Sequence, residues 1–270
     1  MFTIRNGTAG RLALAAIAIL FFVFAAPAAG QLLGGDRPDV SEAPRLDVLQ
    51  VVDGEVLDSA VIGNRVVLVG SFTQVRNPGG AAINQPYIAA YNINTGAFDS
   101  GFRPDLNSEA YAVDTDGTHL YIAGDFTTVD GNRHRKIAKL TAGGDLITSF
   151  NPQAEADVDD LAVANGKVYL TGVFSAIDGQ PRSVLAAVNA ETGEVDQVTN
   201  FDFDFSVAVG GFINGKSLAV TPDGSKLFIS HTARMIDEQE RTAIARFDIC
   251  LLYTSPSPRD QRGSRMPSSA

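Results

Sequence analysis

Tryptophan is absent from this chain of 270 residues, and cysteine occurs once and histidine three times. Each shortage removes a class of chemistry. Exported quinoprotein dehydrogenases dock their sheets through repeated tryptophan motifs, which this chain cannot build. His119, His134 and His231 form no His-Glu-x-x-His run and no close pair, so no zinc-binding spacing is present. The single cysteine, Cys250, lies in the closing segment. Residues 32–249 therefore have neither a disulfide nor a thiol nucleophile, and an exported domain without cross-links must stand on its core. Neither a Gly-x-Ser-x-Gly elbow nor a P-loop occurs.

Long apolar runs are scarce too. The longest, Leu12–Ala26, has fifteen residues, short of the roughly 20 that span a bilayer. Arg5 and Arg11 precede its apolar core, and Ala26-Pro27-Ala28 offers a small-residue cleavage site. That order predicts a secretory signal peptide over 1–31, helical in form, and a protein secreted or held at the cell surface without further membrane contact. No cysteine follows the run, which argues against a lipoprotein anchor. Basic charge is also low. Setting aside Arg5, Arg11, Arg259, Arg262, Arg265 and Asp260 leaves 16 basic against 30 acidic residues in 32–249, a net charge of about −14. Such a surface repels a phosphate backbone, so nucleic acid is not an expected partner.

What the chain does have is glycine, 26 residues of it, and a repeated sentence. "VVLVGSFTQV" (66–75), "LYIAGDFTTV" (120–129) and "VYLTGVFSAI" (168–177) share Gly-x-Phe at Gly70/Phe72, Gly124/Phe126 and Gly172/Phe174. Each leads through a loop to a second apolar run, "YIAAYN", "KIAKLT" or "VLAAVN". Turn glycines follow at Gly96, Gly144 and Gly193, then an extended stretch reaching Phe102, Phe150 or Phe201. The first loop carries an insertion, Arg76–Pro86. A fourth copy opens with "KSLAVTPDGSKLFIS", with His231 and Ala233 in place of the Gly and Phe.

Each copy reads as four short strands; in the second these are Ala110–Val113, His119–Phe126, Lys136–Leu140 and Leu146–Phe150. "DTDGTH", "ANGK" and "TPDGSK" signal tight hairpins between the first two strands, and "VDGN" and "IDGQ" join the second to the third. The second strands barely alternate, as expected when both faces are covered. The recurrent Gly would permit a bulge or a close backbone approach, with the Phe two residues on pointing to the same face. Four-stranded repeats of this length predict an all-β fold, a partial β-propeller of three complete blades and an interrupted fourth. The expected boundaries are a linker or first strand over 32–54 and blades over about 55–106, 107–154, 155–205 and 206–249.

The segment "LYIAGDFTTVDGNRHRKIAKLTAGGDLITSFNPQA" resembles the delta-60 repeat, a propeller-forming family of secreted or surface bacterial proteins without an assigned general activity. The resemblance falls on Gly124, Asp125, Phe126, Thr127, Asp130, Gly131, Arg135, Ile137, Ala138, Leu140, Gly144, Phe150, Asn151 and Pro152. The third copy retains Gly172, Phe174, Asp178, Gly179 and Arg182. The likeness is good over 55–205 and loose over 206–249, and it implies an architecture but no catalytic residue.

Candidate chemistry is thin. Asp114-Thr115-Asp116-Gly117 and Asp157-Val158-Asp159-Asp160 have carboxylates for calcium but no twelve-residue EF-hand loop, and turn-forming Asp beside Gly accounts for them. A glycosidase would need two carboxylates facing across a sugar, for which Asp157, Asp159, Asp202 and Asp204 are available. The "DTDGTH" and "TPDGSK" turns lack the tryptophan of the sialidase Asp-box. "FDFDF" (201–205) reads as a core-facing strand, with a binding groove as the other option. Arg133-His134-Arg135 reads as a solvated loop tip. The expectation is therefore an exported, non-catalytic module without cofactor that binds an extracellular glycan or protein through its loops, Arg76–Pro86 foremost. The alternative is an extracellular propeller hydrolase or lyase acting on carbohydrate.

The end, "CLLYTSPSPRDQRGSRMPSSA", has no hydrophobic period. It back-translates in one frame into what looks like sequencing-adapter DNA on both sides of an index-sized gap. It is expected to be a non-native, disordered appendage that cuts the repeat pattern at Ile249. A raw sheet edge there would leave the product a fragment, marginal or aggregation-prone when expressed.

Overall fold

The structure, a computed structural model, describes residues 45–204 and 213–249. The expected signal segment, most of the 32–54 linker, the "SVAVGG" stretch and the tail from Cys250 lie outside the described residues.

Every regular element among the described residues is a β-strand. Of five antiparallel three-stranded sheets among the described residues, four follow one another along the chain as blades. Their inner strands are Val56–Ile62, Ala110–Thr115, Val158–Ala164 and Gly215–Val220. The middle strands are Arg65–Gly70, His119–Gly124, Lys167–Gly172 and Lys226–His231, and the outer ones Ile88–Asn92, Ile137–Thr141, Leu185–Asn189 and Ile244–Asp248. The fourth strand of each of the first three blades is one residue long, as the bridges Tyr91↔Phe98, Leu140↔Leu146 and Val188↔Val195. The ladder stops there because the chain turns inward. The Phe150 N–H donates to the Ile147 carbonyl at 3.2 Å, and its ring enters the core.

The turns are built by left-handed residues. Asp130-Gly131, Asp178-Gly179 and Asn165-Gly166 have φ of 50 and 73°, 50 and 69°, and 51 and 72°. Positive φ at both central positions is the type I′ geometry that matches strand twist in two-residue hairpins. In the fourth blade Asp237-Glu238 adopts the same pair, 49 and 64°, with Glu238 where the earlier blades have glycine.

Gly70, Gly124 and Gly172 each close the middle strand opposite the start of the inner strand, where the register slips by one residue. A Cβ on any of them would overlap a backbone carbonyl, that of Glu55, Glu109 or Asp157. Glycine is therefore a steric requirement of the bulge. The fourth blade has His231 there, and the glycine has moved across the ladder to its partner Gly215.

Three apolar clusters lie between successive blades, and a fourth gathers round Phe72 and Leu49 on the remaining face of the first blade. Phe126 and Phe174 point back into the cluster shared with the preceding blade, and both are buried. Burial of each contributes about 1.5–3 kcal/mol. The middle strand Lys167–Gly172 is buried at every residue because blades cover both its faces, whereas Lys226–His231 alternates and has one face covered.

The linkers between blades correct one feature of the repeat reading. Leu106, Ala154 and Phe203 bridge to Val129, Ile177 and Ile236 in the next blade. Counted back from these bridges, the positions of Phe102 and Phe150 are matched in the third linker by Thr199, which is wholly buried. Phe201 instead takes the place of Pro104 and Pro152. "FDFDF" is thus shifted two residues against the other linkers. Phe203 goes into the core and Phe201 stays half-buried at the surface.

Candidate functional site

The inner strands pack side by side, first on second, second on third and third on fourth, and no comparable contact joins fourth to first among the described residues. They line a cavity of about 910 Å³. Inner strands of neighbouring blades do not hydrogen-bond as a ladder, so their edge N–H groups need other acceptors. Asp58, Asp114 and Asp160 supply them by one arrangement. Asp58 accepts the Ser59 N–H with Oδ1 and the Val113 N–H of the next blade with Oδ2, at 2.7 and 2.8 Å. Asp114 does the same for Thr115 and Val163, at 2.7 and 2.7 Å. Asp160 serves Leu161 and Leu218, at 2.8 and 2.6 Å. Burial pushes the Asp58 and Asp160 carboxyls up despite these bonds, and the charge of Asp114 on Asp58 and of Asp58 on Asp160 adds to it.

The bulges place Leu57, Tyr111, Asp159 and Lys216 on the cavity wall. Lys216 pairs with Asp159 at 3.3 Å. Burial, and after it the charges of Asp157, Asp125, Glu109 and Asp159, push the Tyr111 hydroxyl up to about 12. Beside it Lys136 bridges Asp125 and Asp157, the latter at 2.9 Å. Burial alone would lower the lysine, but the two carboxylates hold it above its ordinary value. The repeat does not demand this group. The residues matching Asp125 are Ser71, Val173 and Thr232, and those matching Lys136 are Tyr87, Val184 and Ala243. All four of the latter set share a positive φ.

The residues singled out as possible calcium ligands are engaged otherwise. Asp116 accepts the N–H groups of Thr118 and His119, at 2.8 and 2.7 Å, and the Tyr121 hydroxyl at 3.0 Å. Burial opposes ionisation there, but these bonds together hold the carboxyl at about 2. Of the four carboxylates considered for glycosidase work, Asp159 lines the central cavity, while Asp157 is paired with Lys136. Asp202 lines a different cavity, between the third and fourth blades. The Arg76–Pro86 insertion folds back so that its Ile83–Asn84 pairs with Gln74–Arg76, which pairs in turn with Gln50–Val51, and so closes the outer corner of the first blade. Arg133 is exposed and Arg135 half-buried, and His134 between them is buried, so the basic spot is not a uniformly solvated tip. The Asp58, Asp114 and Asp160 series escaped the sequence reading because Asp58 and Asp160 stand third in their inner strands and Asp114 fifth in its own. Only the inter-blade packing lines them up.

Sheets arrayed round such a cavity define a β-propeller. A family model described as a domain of unknown function (DUF5122) beta-propeller matches residues 119–150, the middle and outer strands of the second blade and its linker. No curated protein matches the chain. Among solved structures, the computationally designed Ika4 protein is 13% identical, with 77% of this chain and 99% of that chain covered and a TM-score of 0.46. The designed Ika8 protein is 14% identical over 72% of this chain and 46% of its own, with a TM-score of 0.41. The WD40 beta propeller domain of Doa1 is 13% identical over 74% and 53%, with a TM-score of 0.45. The chain thus spans about half the length of the last two.

Proposed function

We propose that this chain is an exported, non-catalytic β-propeller module of the delta-60 repeat type that binds or scaffolds an extracellular glycan or protein. The observation that carries this reading is the commitment of three of the channel carboxylates. Asp58, Asp114 and Asp160 each give both oxygens to backbone N–H groups, one of them in the next blade. Carboxylates spent in this way hold blades together and leave a rigid disc whose surface loops and grooves meet the ligand. The signal-like 1–31 segment and the acidic body support export and speak against nucleic acid.

The second reading, an extracellular carbohydrate hydrolase or lyase, draws on Asp125, Lys136 and Asp157 beside Tyr111. Glycan and protein arrays, run alongside a reducing-sugar assay, separate the two. Binding without turnover supports the module. Sugar release that Asp157→Asn abolishes supports the enzyme and ends the first reading. Export is checked by the mass of the protein recovered outside the cell, which should lack the residues through Ala28.

A further inference from the structure

A groove on the flank between the third and fourth blades is built unlike its counterparts. The two-residue shift of "FDFDF" puts Phe201 where the earlier linkers bury Pro104 and Pro152. Phe201 lies against Phe247 with ring centroids 4.3 Å apart and planes tilted by 35°, and both rings are half-buried. Cavities of about 410 and 190 Å³ meet here, since Phe201 and Asp237 line both. The larger lies within the ~300–1,000 Å³ typical of small-ligand sites.

One wall holds Arg182, 6% exposed. Its Nη1 donates to the Pro181 carbonyl at 2.7 Å, and its Nη2 to the Asp196 carbonyl and to Gln197 Oε1, at 3.1 and 3.2 Å. Its buried Nε–H has no acceptor, and no carboxylate pairs with the guanidinium among the described residues. Buried charges are ordinarily paired. The guanidinium, held by neutral acceptors, therefore lacks a counter-charge and keeps an unmet Nε–H, and Arg182 lines the larger cavity.

We propose that this groove is a saccharide-binding site, with Phe201 as the stacking floor and Arg182, Asn200, Asp202 and Arg241 as hydroxyl partners. The proposal rests on the reading of the chain as a binding module and names its ligand class. A pyranose ring has an apolar C–H face and hydroxyls that both donate and accept. Phe201 meets the face, and the aromatic pair supplies a rigid contact at little entropic cost. Exposed Asp202 accepts, Arg182 and Arg241 donate, and Asn200 does both. Asp202 and Asp237, both exposed beside Phe201, offset much of the charge of Arg182, Arg241 and Arg246, so the lining suits a neutral polar ligand better than a phosphate or carboxylate, and an apolar one would strand the charged rim.

The test is calorimetric titration of the full chain with cellotetraose, mannotetraose and chitotetraose, with Phe201→Ala, Asp202→Asn and Arg241→Ala, and exposed Arg133→Ala, which lines neither cavity, as a control. At least one tetrasaccharide should bind. F201A should weaken it tenfold or more, D202N and R241A at least threefold, and R133A not at all. Asp202 and Arg241 are exposed, so D202N and R241A keep the test sound should F201A destabilise the blade. Binding that survives D202N, R241A and F201A unchanged overturns the site and leaves the module reading intact, as does an array showing protein ligands and no glycan. Sugar release abolished by D202N overturns the module reading and keeps the site.

Discussion

The Asp58 carboxylate, on the inner strand of the first blade, accepts the Val113 N–H of the second at 2.8 Å. Val113 is buried, so its N–H has no other partner to turn to. Asp114 and Asp160 repeat the contact toward the third and fourth blades. A carboxylate thus does between blades what a strand ladder does within one.

Removing that acceptor leaves a buried donor unmet, at a cost of about 1–3 kcal/mol. Asp58→Ala should lose stability by that amount in urea unfolding. Asp58→Asn, which keeps one acceptor oxygen, should lose less. Equal losses for the two would show that charge, and not the hydrogen bond, matters at this junction.

Glu238 holds φ 64° where Gly131 and Gly179 stand in the second and third blades. A left-handed conformation costs an ordinary L-residue roughly 1–2 kcal/mol, and glycine recovers part of it against its own unfolded-state entropy. Glu238→Gly should therefore raise the midpoint of unfolding, by about 1 kcal/mol in stability. Gly179→Glu should lower it by a similar amount.

At Gly124 the restriction is steric. A Cβ there would strike the Glu109 carbonyl, whereas at Gly131 it would meet open space. Gly124→Ala should cost about 1–3 kcal/mol through forced backbone movement. Gly131→Ala should show only the smaller penalty of its positive φ. Urea curves for the pair decide this, and equal effects would refute the bulge account.

His134 and His231 are both buried, and burial lowers the affinity of each ring for a proton below the ordinary value near 6.5. The unfolded chain then takes up more protons than the folded one as pH falls through that value, so stability is full above it and declines below. Thermal melts between pH 7.5 and 5.5 should show this decline. His134→Gln with His231→Gln should flatten it, and an unchanged slope would assign the decline to carboxylates.

Phe150 and Phe201 look equivalent in the repeat but differ in burial. Phe150 sits edge-on to Tyr121, with ring centroids 5.5 Å apart, inside the cluster between second and third blades. Phe150→Ala should cost about 3–5 kcal/mol. Phe201→Ala, at the surface, should cost much less.

The blades were legible because their cause is local. Gly-x-Phe, the Asp-Gly and Asn-Gly turns and the unbroken apolar strands each act within a few residues, and each recurs. The fourth strand was read as longer than it is, since "LITSF" has strand-like residues but its aromatic leaves the sheet for the core. Alignment by aromatics also misplaced Phe201, because Thr199 is small and polar yet fills the buried position. The order of strands, the hairpin turns and the acidity of the body came from the amino-acid sequence by itself. Which carboxylates staple neighbouring blades, and which linker phenylalanine is left outside, were decided only by tertiary packing. Both depend on contacts between residues far apart in the chain, as in Asp58 with Val113, 55 residues away, and Phe203 with Ile236.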